Sequence, residues 1–107
     1  MEEHGAFKLA LKVDPLDNVA TLFANSVLNG MQVGIQDKQG KTQYVTVIGD
    51  IPYGHKIAVQ GIDKGSRIIK YGECIGAASR AIQQGEYVHI HNMEALRDRG
   101  DWKEGNT

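Results

Sequence analysis

A single cysteine, Cys74, stands in the chain, so no disulfide can form within it. The fold must therefore be held by a packed core. Cys74 itself reads most simply as a small buried apolar residue, with nucleophile or metal ligand as the alternatives. No apolar run approaches the roughly 20 residues that a membrane helix needs. Neither sign of charge dominates: the formal net charge is -1, which gives no electrostatic reason to expect nucleic acid or an acidic membrane as a partner. The segment Met1-Glu2-Glu3-His4-Gly5 has neither the basic nor the apolar region of a signal peptide, and a cytoplasmic location is expected. With 107 residues the chain has room for one domain with one modest core. Proline is scarce, with two residues, whereas glycine is abundant, with 13 spread along the chain. That balance points to a fold with many tight turns, not to a flexible linker.

The glycines sit in a pattern. Val27-Leu28-Asn29-Gly30-Met31-Gln32-Val33-Gly34-Ile35 has the form apolar-x-x-Gly-x-x-apolar-x-apolar. Ile51 to Val59 repeats it around Gly54, Ile62 to Lys70 around Gly65, and Ile82 to Ile90 around Gly85. The physical reading is a tight turn feeding a strand. Glycine supplies the positive φ of the turn, the first apolar residue anchors it, and the last two share one face of the strand that follows. The unequal spacing of the copies excludes a solenoid and fits a device reused within one β-domain.

Other segments agree with an all-β chain. Phe7 to Val13 has apolar residues at period 2 and predicts a strand that buries Phe7, Leu9, Leu11 and Val13. Asp14 to Asn18 is a turn, and Val19 to Phe23 a second strand. Ala24 to Asn29 is expected to hold one helical turn. Asp37 to Lys41 is a hairpin tip leading into a strand over Thr42 to Ile48. Gly72 to Ala81 is read as a strand despite its alanines. Met93 to Leu96 is read as a helix start, and residues 97–107 as a charged, glycine-broken tail.

Three places carry candidate chemistry. Gly34 to Thr42 superficially resembles a phosphate-binding loop, but it has five residues between its glycines instead of four and leads into a strand, so the amide cradle of a helix N-terminus is missing. In Gly85-Glu86-Tyr87-Val88-His89-Ile90-His91-Asn92, a strand would place His89 and His91 on one face. Neutral imidazole ligates metals and moves protons near neutral pH. From spacing alone, two solvent-facing histidines are the favoured reading of the pattern. Gly54-His55-Lys56 sets an imidazole and an ammonium just past a turn, where they can bind a carboxylate and move a proton, or simply be exposed. Arg67, Lys70 and Arg80 are candidates for an anion-binding face.

Taken together, Asp17-Asn18-Val19-Ala20, Gly54-His55-Lys56-Ile57-Ala58, Ile69-Lys70-Tyr71-Gly72-Glu73-Cys74-Ile75-Gly76 and Gly85 to Asn92 resemble the N-terminal SAF domain of the altronate dehydratase/galactarate dehydratase family. The resemblance spans about Val13 to Asn92. It implies a small all-β SAF-type β-clip domain over residues 13–92, with an N-terminal arm and first strand at 1–12 and a charged linker or tail at 93–107. It further implies part of a hydro-lyase that converts a sugar acid to a 2-keto-3-deoxy acid, inactive without a large C-terminal dehydratase domain or subunit.

Under the resemblance, His55, His89 and His91 are catalytic residues or ligands of a divalent metal, iron or manganese. Lys56, Asn92 and Arg67 bind substrate. The His-x-His-Asn run places the chain nearer to the altronate branch, or to the small subunit of sulfolactate sulfo-lyase, than to the galactarate branch. A non-catalytic carbohydrate-binding or assembly module is the competing expectation, for which exposed Tyr71, Tyr87 and Trp102 would speak. A homo-oligomer remains open.

Overall fold

The computed structural model describes residues 8–95. Phe7, Leu96, Trp102 and the charged segment 97–107 lie outside them. Every regular element among the described residues is a strand: β1 (Lys8–Leu11), β2 (Val19–Leu22), β3 (Gln32–Gln36), β4 (Thr42–Thr46), β5 (Lys56–Ala58), β6 (Arg67–Lys70), β7 (Glu73–Ala78), β8 (Tyr87–Val88) and β9 (Met93–Ala95). They form a six-stranded sheet of order β4-β3-β1-β2-β5-β8 and a three-stranded sheet of order β6-β7-β9. The fold is the expected small all-β domain.

The four glycine turns are built alike. In each, a residue just after the glycine donates its N–H to the carbonyl three positions back: Met31 to Leu28, His55 to Pro52, Ser66 to Asp63 and Glu86 to Gln83. Gly30, Gly54, Gly65 and Gly85 take φ of +90°, +81°, +86° and +90°, the conformation that the third place of a type II turn requires. The anchors behave as a set. Val27 bridges to Ile51 and Ile62 to Ile82, both antiparallel, and all four are buried. The strands that follow are β3, β5, β6 and β8.

Two apolar clusters make the core. One gathers Ala10, Ala20, Leu22, Val33, Ile35, Val45 and Ile57 among others. The second gathers Val19, Ala58, Ile62, Ile68, Ile82, Val88 and Met93. Alternation divides β2, β5 and β8 between them: Ala20, Leu22 and Ile57 face the first cluster, and Val19, Ala58 and Val88 the second. Each fully buried Leu, Ile or Val contributes about 1.5–3 kcal/mol relative to exposure.

The connecting loops are stitched by two side chains of the Asp17-Asn18 pair. Asp17, 2% exposed, accepts the N–H groups of Val13, Asp14 and Gly72. The Asn18 amide accepts from Ile69 N–H and donates to the Arg67 carbonyl, fastening β6 beside β2.

Four local expectations are corrected. In β1 the period of two holds but the faces are reversed: Ala10 is fully buried and Leu9 is 42% exposed. β1 lies between β2 and β3, and Ala10 pairs with both Leu22 and Ile35, so a small side chain fits where two large ones meet. Ala24 to Asn29 forms no helical turn, because Val27 is drawn into its bridge with Ile51. Met93 opens a strand, β9, which pairs with β7 over Gly76 to Ala78. The strand through the histidines stops at Val88. Beyond it the chain folds back, with the N–H groups of Asn92 and Met93 both donating to the His89 carbonyl.

Candidate functional site

The site forms where β5 and β8 pair, Lys56 opposite Val88 and Ile57 opposite Tyr87. His55, two residues before Ile57, lies on the face that carries Tyr87, and the Tyr87 hydroxyl is 2.9 Å from His55 Nδ1. The His89 ring packs edge-on to His55 at a centroid distance of 4.8 Å and parallel to Tyr87 at 5.8 Å. His91 completes the group, its ring tilted against Tyr87 at 5.1 Å. Tyr87 is thus the hub of three imidazoles. The sequence offered no signal for this role, since Tyr87 resembles any half-buried strand tyrosine.

Asn92 builds the turn that brings His89 and His91 back to Tyr87. It has no exposed surface; its Oδ1 accepts the His89 N–H at 3.0 Å and its Nδ2 donates to the Tyr87 carbonyl at 2.8 Å. Expected to touch substrate, it lies instead beneath the site and positions it.

The His89 imidazole is held toward its neutral form. Burial lowers its pKa from the usual 6.5, and the nearby charges of His55, Lys56 and His91 lower it further. Its Nδ1 is buried and has no hydrogen-bond partner among the described residues. An imidazolium would bury an unsatisfied N–H there, which costs about 1–3 kcal/mol.

Lys56 follows His55 and therefore leaves β5 on the opposite face, across from Thr21 of β2. The Thr21 hydroxyl lies 3.4 Å from that of Tyr71, and the Lys70 ammonium sits 5.0 Å from the centre of the Tyr71 ring. The Lys56 pKa is lowered, first by burial and then by the charge of Lys70. Arg67 is exposed at the start of β6, where its carbonyl accepts from Asn18. Arg80 is exposed at the far end of the β7 segment, and Cys74 is half-buried with its thiol 3.4 Å from the Gly76 carbonyl.

Among the described residues no three His, Cys, Asp or Glu side chains converge as a metal-ligand set. His55, His89 and His91 surround a phenol ring instead of a common point, and one nitrogen of His55 is engaged by that phenol. Concavities of about 310 and 350 Å³ lie elsewhere, lined by Lys12, Asp37 and residues near the β3–β4 tip. No helix among the described residues is long and apolar enough to cross a membrane.

The molecule is thus a small all-β domain of glycine turns with an imidazole cluster at one sheet edge. The sequence model of the altronate/galactarate dehydratase SAF domain matches residues 8–96, and the chain belongs to that family. It is 40% identical over 82 residues to the altronate dehydratase of Escherichia coli strain K12, covering 77% of this chain and 15% of that protein. It is 38% identical over 78 residues to the galactarate dehydratase (L-threo-forming) of the same strain, covering 73% and 14%. With the (2R)-sulfolactate sulfo-lyase subunit alpha of Chromohalobacter salexigens it shares 35% over 85 residues, covering 78% of this chain and 90% of that one. The chain therefore spans about a seventh of the two dehydratases and nearly the whole of the sulfo-lyase subunit. Identities this close do not separate the branches.

Proposed function

We propose that this chain is the SAF domain or small subunit of an altronate dehydratase-like hydro-lyase, and that it brings its imidazole cluster to a site completed by a larger domain. The observation that carries the reading is the convergence of His55, His89 and His91 on Tyr87 at an open edge. A surface half-site of this kind needs a second wall, and active sites commonly lie between domains. The small share of the dehydratases that the chain covers supports the same arrangement.

The chemistry follows from the groups. Dehydration of a 2,3-dihydroxy acid removes the proton at C2, and those electrons form the C2–C3 double bond as the C3–O bond breaks. The departing hydroxyl takes up a proton and leaves as water, and the enol becomes the 2-keto-3-deoxy acid. The imidazoles placed for these two proton transfers are His55, held by its hydrogen bond to Tyr87, and His89, kept toward its neutral form by burial. The divalent metal that the family resemblance implies finds no ligand set among the described residues, and we assign it to the larger domain.

A second reading rests on one observation: the chain covers 90% of a sulfo-lyase alpha subunit. The same removal of the C2 proton, with a sulfonate leaving from C3, would serve that reaction.

The test is complementation. The chain alone should not turn over altronate or (2R)-sulfolactate. Supplied to an E. coli altronate dehydratase lacking its own SAF segment, it should restore altronate dehydration. His89→Ala and His55→Ala should each lower that rate about 10²–10⁴-fold with unchanged melting temperature. Undiminished turnover in the double variant, or turnover by the chain alone, would overturn the reading.

A further inference from the structure

Alternation along β1 sends Ala10 into the core and Leu9 to the outer face of the six-stranded sheet. Register then lines up residues from distant parts of the chain. Leu9 pairs with Gly34 of β3, and Gly34 with Tyr44 of β4. On the other side Ala10 pairs with Leu22, so Leu9 falls opposite Phe23, whose N–H donates to the Leu9 carbonyl. The Phe23 ring meets that of Tyr53 edge-on, with centroids 6.4 Å apart. Directly paired residues share one face of a sheet. Tyr44, Leu9, Phe23 and Tyr53 therefore form one row from β4 to the turn before β5, and each is between 42% and 57% exposed.

The row is flat and uncharged. Gly34 has no side chain to lift its neighbour, and a Cβ there would come within 3.3 Å of the Tyr44 ring. The adjoining row across the same strands, Thr42, Gln36, Leu11 and Thr21, carries no charge either. Contiguous exposed apolar side chains, rich in aromatics and free of charge, mark the centre of a protein interface. The row also ends at the imidazole site. Tyr53 stands in the Pro52–His55 turn, two residues before His55, and the Leu22 N–H next to Phe23 donates to the His55 carbonyl. A partner seated on Phe23 and Tyr53 is thereby brought to the edge of the cluster. A second copy would bring only the same imidazoles, and the described residues hold no metal-ligand set for it to complete. Further protein is what a relative has in this place: the chain corresponds to 15% of the E. coli altronate dehydratase.

We infer that the Tyr44–Leu9–Phe23–Tyr53 row is the seat of the larger domain, which meets it with an uncharged, apolar face of its own. This rests on the proposed function and deepens it, because it names the surface through which the half-site is closed. Phe23 and Tyr53 anchor the end beside His55, and Leu9 and Tyr44 extend the contact across the sheet. Leu16 is more exposed than any of them, at 72%, but it lies off the row in the β1–β2 turn and takes no part.

Thiol labelling tests the seat. The full chain, carrying Cys74→Ala and one of Leu9→Cys, Tyr44→Cys or Leu16→Cys, is compared free and fused in place of the SAF segment of E. coli altronate dehydratase. Labelling by iodoacetamide is followed at each position by peptide mass spectrometry. In the fusion, labelling at Leu9→Cys and Tyr44→Cys should slow about tenfold or more, and that at Leu16→Cys should not change. Equal labelling in a fusion that turns over altronate overturns the seat and leaves the proposed function standing. A fusion that neither protects the row nor turns over altronate removes both. Protection without turnover supports the seat and removes the dehydratase chemistry. Slow labelling already in the free chain would mean that the chain itself covers the row, or a second copy where the slowing grows with concentration, and either result overturns the inference.

Discussion

The Tyr87 hydroxyl and His55 Nδ1 meet at 2.9 Å across the β5–β8 ladder, joining residues 32 apart in sequence. The contact fixes the His55 ring by one nitrogen and leaves the other to act. Tyr87→Phe keeps the ring packing and deletes this bond. The ¹⁵N signals of His55 should shift as its tautomer preference is released, the fold should persist, and complementing activity should fall. Unmoved His55 signals would show that the hydroxyl does not set the tautomer.

His89 makes stability depend on pH in a defined direction. Its folded pKa is below its unfolded value of 6.5, so the unfolded chain binds the extra proton. Its contribution is complete above pH 6.5 and is lost as pH falls through the lowered folded value. The melting temperature should drop between pH 7 and the acid side of that window. His89→Gln should flatten this part of the profile; an unchanged slope would assign it to other groups.

Asn92 serves two backbone groups with one amide. Asn92→Ala would leave the His89 N–H and the Tyr87 carbonyl unsatisfied, each costing about 1–3 kcal/mol. Urea denaturation should show a loss of about 2–6 kcal/mol. His89→Ala should be far milder, and the contrast separates positioning from chemistry.

Two glycines with nearly equal φ should respond unequally to alanine. At Gly40, φ is +88° and a Cβ meets nothing within 4 Å, so the cost is the conformational one of about 1–2 kcal/mol. At Gly85, φ is +90° and a Cβ would fall on the Thr46 carbonyl, adding about 1–3 kcal/mol for the displacement. Equal losses in chemical denaturation would mean that the β4 end moves away freely.

The turns were legible in the sequence because a positive φ leaves a residue-level mark. Gly30, Gly54, Gly65 and Gly85 stand where only glycine is cheap. The face of β1 was not legible, because Ala10 is chosen by Leu22 and Ile35 on strands that the local pattern does not identify. The alternation of His89, Ile90 and His91 imitates a strand. What decides otherwise is the buried amide of Asn92, and Ile90 ends up 74% exposed. Tyr87 and Tyr71 acquire their places through partners 32 and 50 residues away, and neither residue type announces that.

The alternation at His55 and Lys56 gives the Pro52–His55 turn a further importance. Neighbours on one strand, these residues serve opposite faces, imidazole toward Tyr87 and ammonium toward Thr21. A slip of one residue in how β5 pairs would exchange them, putting a permanent cation against the phenol and a titratable ring among the lysines. The left-handed glycine at position 54 is thus a phase marker: by setting where the pleat begins, it decides which chemistry each side of the sheet receives.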